Sequence, residues 1–187
     1  NQVELPQRTP AEHIRWALDH PVDSAPLKEL VKAGDKVCII ISDVTRRWQS
    51  PETYIPVLIA ELESAGVRDE DMLIISATGT HRRQTPEEHM GLVTKEVYDR
   101  IELVDHVCTD EENLAYVGTT TRGTPVWLDK RALACDKIIL TGGVVYHFMA
   151  GFGGGRKSIL PGIAGRETIM KNHNLALNPG LGNGSNP

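Results

Sequence analysis

Lys36-Val37-Cys38-Ile39-Ile40-Ile41-Ser42 runs directly into Asp43-Val44-Thr45-Arg46-Arg47. The first seven residues are apolar without alternation, the pattern of a strand covered on both faces. A polar, charged segment follows where that strand must end. The same arrangement recurs twice. Met72–Ala77 leads into Thr78-Gly79-Thr80-His81-Arg82, and Lys137–Thr141 leads through Gly142-Gly143 into YHFMAGFGGGRKSILPGIAG at 146–165. Ile101–Asp105 reads as a further strand. Between the strands lie helix signals: capping boxes at Thr9-Pro10-Ala11-Glu12 and Thr85-Pro86-Glu87-Glu88, and a Ser50-Pro51-Glu52 start stopped by Gly66. A second helix is expected from Ser24 or Pro26 to Gly34, a kink at Pro56, a short helix from Thr94, another over 130–134, and one over 166–172. Ala115–Thr121 and Thr124–Leu128 read as a small hairpin around Arg122-Gly123. Strands alternating with helices predict an α/β fold: a largely parallel, Rossmann-like open sheet flanked by helices, with one small hairpin.

The chain has 187 residues, enough for one domain with a real core, and 40% hydrophobic with 24% charged residues is a globular composition. A net charge of -5 argues against bulk nucleic-acid binding. No apolar run approaches the roughly 18 residues of a membrane span. Cys38, Cys108 and Cys135 are odd in number and form no CxxC pair, so a reducing cytoplasm is expected, with Cys38 as a core residue. Leu177–Pro187 is mostly Gly, Asn and Pro, and reads as a loop cut in mid-course, hence as the edge of a longer protein.

In open α/β sheets, ligands bind outside the carboxyl ends of the strands. Three polar clusters at three such ends therefore mark a site. Each cluster has a plainer reading: Asp43 as a turn cap, His81 as a solvated loop residue, the glycines as a flexible connector. The apolar Ile159-Leu160-Pro161-Gly162-Ile163 argues instead for a packed, fixed turn. Gly153, Gly154 and Gly155 allow backbone to wrap a ligand, and Arg156 and Lys157 add positive charge, so a phosphate- or carboxylate-bearing ligand is indicated. A P-loop is excluded because Arg156 stands where GxxxxGK[ST] needs glycine. His173, near the end of the 166–172 helix pattern, reads alone as a helix C-terminal histidine. With His81 and His147 it could be a metal ligand or an acid–base group, although no common zinc spacing is met. His13, His20, His89 and His106 lack such company and read as structural.

Taken in order, DVTR at 43–46, GTHR at 79–82, DEENL at 110–114, GTTTRGTPV at 118–126, HFMAGFGGGRKSILPGIAG at 147–165 and the GNGSNP ending resemble the N-terminal domain of the nickel-pincer lactate racemase family. The resemblance implies an isomerase, a racemase or epimerase of lactate or a related 2-hydroxy acid. It implies a nickel pincer nucleotide, a pyridinium mononucleotide whose two thiocarboxyl groups hold nickel. Lys157 then matches the lysine that anchors this cofactor covalently, with Gly153, Gly154, Gly155 and Arg156 beside it. His173 matches the nickel ligand, and His81 and His147 match the two acid–base histidines. Arg46 matches the arginine that binds the substrate carboxylate, and Asp43 an acidic residue on the substrate side that orients. Two histidines suit a base for each enantiomer, and an arginine suits a carboxylate through its bidentate fork.

The resemblance also implies that residues 1–187 are the cofactor-binding N-terminal domain of a two-domain protein, that the C-terminal domain lies outside this sequence, and that this chain alone lacks turnover. Its partners would be a small 2-hydroxy acid and the enzymes that make the cofactor, with no nucleic acid and no membrane. Arg47 departs from the family pattern, which has proline after the Thr-Arg pair, and Trp48 follows it. Both bear on substrate choice. The competing readings are a scaffold using another cofactor, and a cofactor- or nucleotide-binding module without turnover, which needs the anion site but not both histidines.

Overall fold

A computed structural model describes residues 7–147 and 150–177. The tail at 178–187 and the pair Phe148-Met149 lie outside the described residues. The chain forms α1 (Pro10–Asp19), α2 (Leu27–Leu30), β1 (Val37–Ser42), α3 (Pro51–Ser64), β2 (Met72–Ala77), α4 (Pro86–Val93), α5 (Lys95–Arg100) and β3 (Glu102–Asp105). The hairpin β4 (Leu114–Thr119) and β5 (Pro125–Asp129) follows, then α6 (Lys130–Leu133), β6 (Lys137–Leu140), the two-residue strands β7 (Tyr146–His147) and β8 (Gly151–Phe152), and α7 (Arg166–Asn174).

The main sheet has the order β3-β2-β1-β6, and every pairing is parallel. Along β1, Val37, Ile39 and Ile41 join Ile55, Ile59, Leu62, Ile74 and Leu92 in the larger core, packed beneath α3 and α4. Cys38 and Ile40 point the other way, against Ile75, Ala132 and Ile163. Ile39, Ile40 and Ile41 are all fully buried, which is why the run shows no alternation. Each such side chain contributes roughly 1.5–3 kcal/mol. The expected α/β fold with a parallel sheet and a small hairpin is therefore observed.

Both capping boxes form: Thr9 and Thr85 each accept from the backbone three residues on while Glu12 and Glu88 reach back. The helix expected from Ser24 or Pro26 to Gly34 shrinks to the single turn α2, because Val31 turns into an extended conformation and buries in the core. The kink expected at Pro56 does not interrupt α3. Among the described residues, no helix is long and apolar enough to cross a membrane.

The connectivity creates the crevice. From β1 the chain steps to β2 and β3 on one side, and β6 returns to β1 on the other. The loops leaving β1 and β6 diverge, and a ligand crevice opens between them at the carboxyl ends of the strands.

Candidate active site

After β1, Asp43 turns the chain into a tight 3-10 segment, Val44–Gln49. Its Oδ1 accepts from the Thr45 amide at 3.2 Å and the Thr45 hydroxyl at 2.5 Å. Its Oδ2 lies 2.5 Å from Nδ1 of His81, in the loop after β2. Asp43 is buried, so this carboxylate stands behind the cleft rather than in it. It is both the turn cap and the support of a histidine. An ionised carboxylate only accepts, so Nδ1 of His81 carries the proton and the Nε2 lone pair is left for chemistry. Arg46 is held nearby, its Nη1 3.5 Å from Asp43 Oδ1 and 3.3 Å from the Thr45 hydroxyl.

Gln84 ties the three strand ends together. Its Oε1 accepts from the Val44 amide at 2.6 Å, and its Nε2 donates to Ser76 Oγ at 2.7 Å and Asp105 Oδ1 at 2.8 Å. His89 Nε2 lies 2.9 Å from the same Asp105 oxygen. His89 is thus a structural histidine, as is His106, which is buried between Asp129 and the Ala164 carbonyl.

The glycine segment is a fixed turn. β7 and β8 pair antiparallel, and the Gly153 amide donates to Val145 O at 2.7 Å. Gly154 has φ +73°, and a Cβ on it would meet the Gly143 carbonyl at 3.0 Å. Gly155–Ser158 forms a 3-10 turn carrying Lys157. The turn is pinned from below: the Gly162 amide donates to Lys157 O, the Gly79 amide to Gly162 O, and Ser158 Oγ to Thr141 O. A Cβ on Gly162 would lie 2.1 Å from the Ser158 carbonyl oxygen, so only glycine fits that crossing. His147 ends β7, and its Nδ1 accepts from the Ala150 amide at 3.1 Å. An accepting Nδ1 puts the neutral ring's proton on Nε2, the reverse of His81.

Two adjoining clefts result. The inner one, about 260 Å³, is lined by Arg46, Trp48, His81, His147, Lys157 and His173, with Gly153, Gly154, Gly143 and Gly162 in its walls. The outer one, about 570 Å³, is lined by Arg122, Arg156 and Asn172, and shares His147, Lys157 and His173 with the first. The structure therefore brings together every sequence-predicted residue except two. Asp43 sits behind His81, and Gly155 lines neither cleft but starts the turn. Arg156 belongs to the outer cleft alone. Arg47 lines neither; its guanidinium packs on Gly91 of α4. Trp48 faces the inner cleft, with its ring edge against Gly143.

The shared residues influence one another. Burial and then the Arg46 charge push the Lys157 ammonium below its usual range. Burial and then Lys157 lower His173, and burial, Lys157, Arg46 and His173 lower His147. The site thus favours a neutral amine and neutral imidazoles, the forms that act as nucleophile, base and metal ligand. Among the described residues, no three His, Cys, Asp or Glu side chains converge as a metal cluster. Sequence reading passed over Gln49, whose Oε1 is buried in the inner wall without a hydrogen-bond partner among the described residues. It also passed over Gln84 and Arg122. Their one available signal was proximity to the polar strand ends and to the hairpin turn.

The sequence profile described as "Lactate racemase N-terminal domain" matches residues 1–184. A lactate racemase from Lactiplantibacillus plantarum is 38% identical over 162 residues, which is 87% of this chain and 38% of that protein. One from Thermoanaerobacterium thermosaccharolyticum is 34% identical over 160 residues, 86% of this chain and 37% of that protein. The solved apoprotein of the T. thermosaccharolyticum lactate racemase superposes with a TM-score of 0.83 at 33% identity, covering 94% of this chain and 42% of that one. A solved Thermotoga maritima protein gives a TM-score of 0.73 at 25% identity, covering 92% and 43%. The chain thus spans about two fifths of the length of the relatives it matches.

Proposed function

The chain belongs to the lactate racemase N-terminal domain family, and from that premise we propose that it is the cofactor-binding domain of a two-domain 2-hydroxy-acid racemase or epimerase. One observation carries the reading: His81 and His147 line a single small cleft with their ring protons on opposite nitrogens, beside a lysine held toward its neutral form. His81 is set to accept a proton at Nε2, and His147 to donate one. For one enantiomer, His81 would take the hydroxyl proton at Nε2, and His147 would serve the hydroxyl of the mirror image; the hydride from the α-carbon would need a bound cofactor to hold it and return it to either face of the planar 2-keto acid. Arg46, steadied by Asp43 and Thr45, binds the substrate carboxylate through its guanidinium. The inner cleft suits a small acid, and Trp48 forms the wall that its side chain meets.

The hydride acceptor is proposed to be a nickel pincer nucleotide, which when bound supplies the redox chemistry that no side chain here can. The residues present fit it. Lys157 is a half-buried amine depressed by burial and Arg46, suited to a covalent link. His173 offers an imidazole held toward its neutral form as a ligand to such a metal, and no group of three or more His, Cys, Asp or Glu side chains gathers there among the described residues. Gly154 lies where a side chain would crowd the cleft wall, and Gln49 Oε1, buried and without a hydrogen-bond partner among the described residues, could accept from a bound group.

The test uses full-length protein produced with the cofactor-making enzymes. His81→Ala and His147→Ala should each lower turnover by about 10²–10⁴-fold, the usual contribution of a positioned acid or base. The mass adduct on Lys157 should persist in both. Unchanged turnover in both variants would instead support a binding module without catalysis.

A further inference from the structure

The hydrogen bond between Asp43 and His81 joins two loops, 38 residues apart in sequence, and it holds only while those loops keep their spacing. One loop follows β1 and the other follows β2. The His81 turn is fixed on its near flank: the Gly79 amide donates to Gly162 O at 3.0 Å, and the His81 amide closes the turn on Thr78 O at 2.9 Å. Its far flank reaches Gln84, and the Gln84 side chain crosses to the other loop. Val44 opens the 3-10 segment Val44–Gln49, so its amide has no acceptor within that turn. Asp43 caps the Thr45 amide with its own carboxylate. The Val44 amide is capped from the β2 loop instead, by Gln84 Oε1 at 2.6 Å.

The Gln84 amide group has one permitted orientation. Its Nε2 faces Asp105 Oδ1 at 2.8 Å, and Asp105 Oδ2 accepts from the Gln84 backbone amide at 2.7 Å. Burial works to raise the Asp105 carboxyl, but the bonds from His89 and Gln84 prevail and hold it below the usual carboxylate range. An ionised carboxylate only accepts, so it takes the nitrogen end of the Gln84 amide and turns the oxygen end toward Val44. Asp105 is itself fixed. It pairs in register with Ser76 of β2, and buried His89 of α4 donates to its Oδ1 from Nε2 at 2.9 Å. Gln84 Nε2 also donates to Ser76 Oγ at 2.7 Å. Contacts with Ser76 and Asp105 alone would tie β2 to β3. The contact with Val44 adds the turn that carries Asp43 and Arg46.

We infer that Gln84 is a positioning residue: by holding the Val44 amide it sets the approach of Asp43 to His81, and through Asp43 it keeps the ring proton of His81 on Nδ1. A neutral imidazole can carry its proton on either nitrogen, and the Asp43 bond makes the choice. Without Gln84, the Val44 amide loses its acceptor and the turn bearing Asp43 can draw away from His81. Asp105 and His89 act one step further back, by orienting Gln84. The use of the His81 proton in catalysis rests on the proposed function, but the placement of that proton does not.

The test is long-range proton–nitrogen NMR of this 187-residue chain carrying isotope-labelled histidine, at about pH 8, which separates protonated from bare ring nitrogens. The His81 signals are those lost in His81→Gln. The wild-type ring should hold its proton on Nδ1. Gln84→Met keeps the length of the side chain and removes its hydrogen bonds. It should lower the ratio of the Nδ1-protonated to the Nε2-protonated form by about tenfold, the weight of one charge-assisted hydrogen bond. Ile59→Val in α3, which destabilises the core outside both loops, should leave the ratio unchanged. The wild-type Val44 amide should also be protected from hydrogen exchange, which tests the lever even if the Gln84 variant fails to fold. The inference is overturned if that amide exchanges freely, if the wild-type ring holds its proton on Nε2, if Gln84→Met keeps the wild-type ratio, or if Ile59→Val lowers it equally. A Gln84→Met ring that loses the preference, with turnover of the loaded full-length protein unchanged, would uphold the positioning and sink the base role of His81, so the two readings fail separately.

Discussion

At the scale of single residues, the site works through hydrogen bonds that choose protonation states. Asp43 fixes the Nδ1 proton of His81. Asp43→Asn offers an amide that can donate to Nδ1 and push the proton to Nε2, removing the lone pair that the proposed base role of His81 needs. Turnover of the loaded full-length protein should fall by about 10²–10⁴-fold, with the Lys157 adduct retained in the intact mass. A fall of less than tenfold would count against the orienting role. Lys157 is lowered by burial and then by Arg46, so more of it is the free amine at a given pH than for an ordinary lysine. In the unloaded chain at pH 8, a small amine-acylating reagent should label Lys157 faster than exposed Lys171, as read by peptide mass spectrometry. Arg46→Ala should slow that labelling, because removing a neighbouring cation raises the ammonium's pKa. Equal rates at the two lysines would remove the activated-amine argument.

At the scale of elements, buried polar clamps hold the strand ends in place. Asp129 at the end of β5 is paired by Arg131 at 2.6 Å and by His106 at 3.0 Å. Burial works to raise its pKa, but the Arg131 and His106 bonds prevail and hold it to about 2. A carboxylate lowered in the fold contributes stability that is full above its unfolded value near 3.8 and is lost as pH falls toward about 2. Asp129→Ala should cost about 3 kcal/mol in urea denaturation at pH 7, because it leaves Nδ1 of buried His106 and the half-buried Arg131 guanidinium without their partner. It should also flatten the loss of stability between pH 4 and 2. A cost below about 1 kcal/mol would show that the clamp is dispensable. Much of this layer was legible in the chain. The Ile39–Ile41 run, the two capping boxes and the Arg122-Gly123 turn are local signals, and each produced its element. The failures were non-local. α2 stops after one turn because Val31 is drawn into the core. The 3-10 turn under Lys157 exists because Gly162 crosses Ser158 and bonds Gly79, more than eighty residues away in the chain. Gln84 was invisible for the same reason: its partners Val44 and Asp105 lie far from it in sequence.

At the scale of the molecule, the parallel sheet explains why distant motifs share a site. β2, β1 and β6 are neighbours running one way, so the segments after them must meet. Position could be read from sequence, but the division into inner and outer clefts could not, since it depends on where the hairpin and α7 settle. The chain spans about two fifths of its relatives' length. On the proposed two-domain reading, this chain carrying the cofactor should show no measurable racemisation in a chiral assay, while the full-length protein does. Full turnover by the chain alone would refute that reading. The unlike supports of His81 and His147, a carboxylate behind one and a backbone amide before the other, have a further consequence. If the two histidines serve a racemase, as proposed, the interconversion of mirror images has an equilibrium constant of one, and the Haldane relation forces kcat/KM to be equal for the two enantiomers. The asymmetry of the pair cannot favour either direction at equilibrium. It can appear only as compensating differences, one enantiomer turning over faster at saturation and binding correspondingly more weakly.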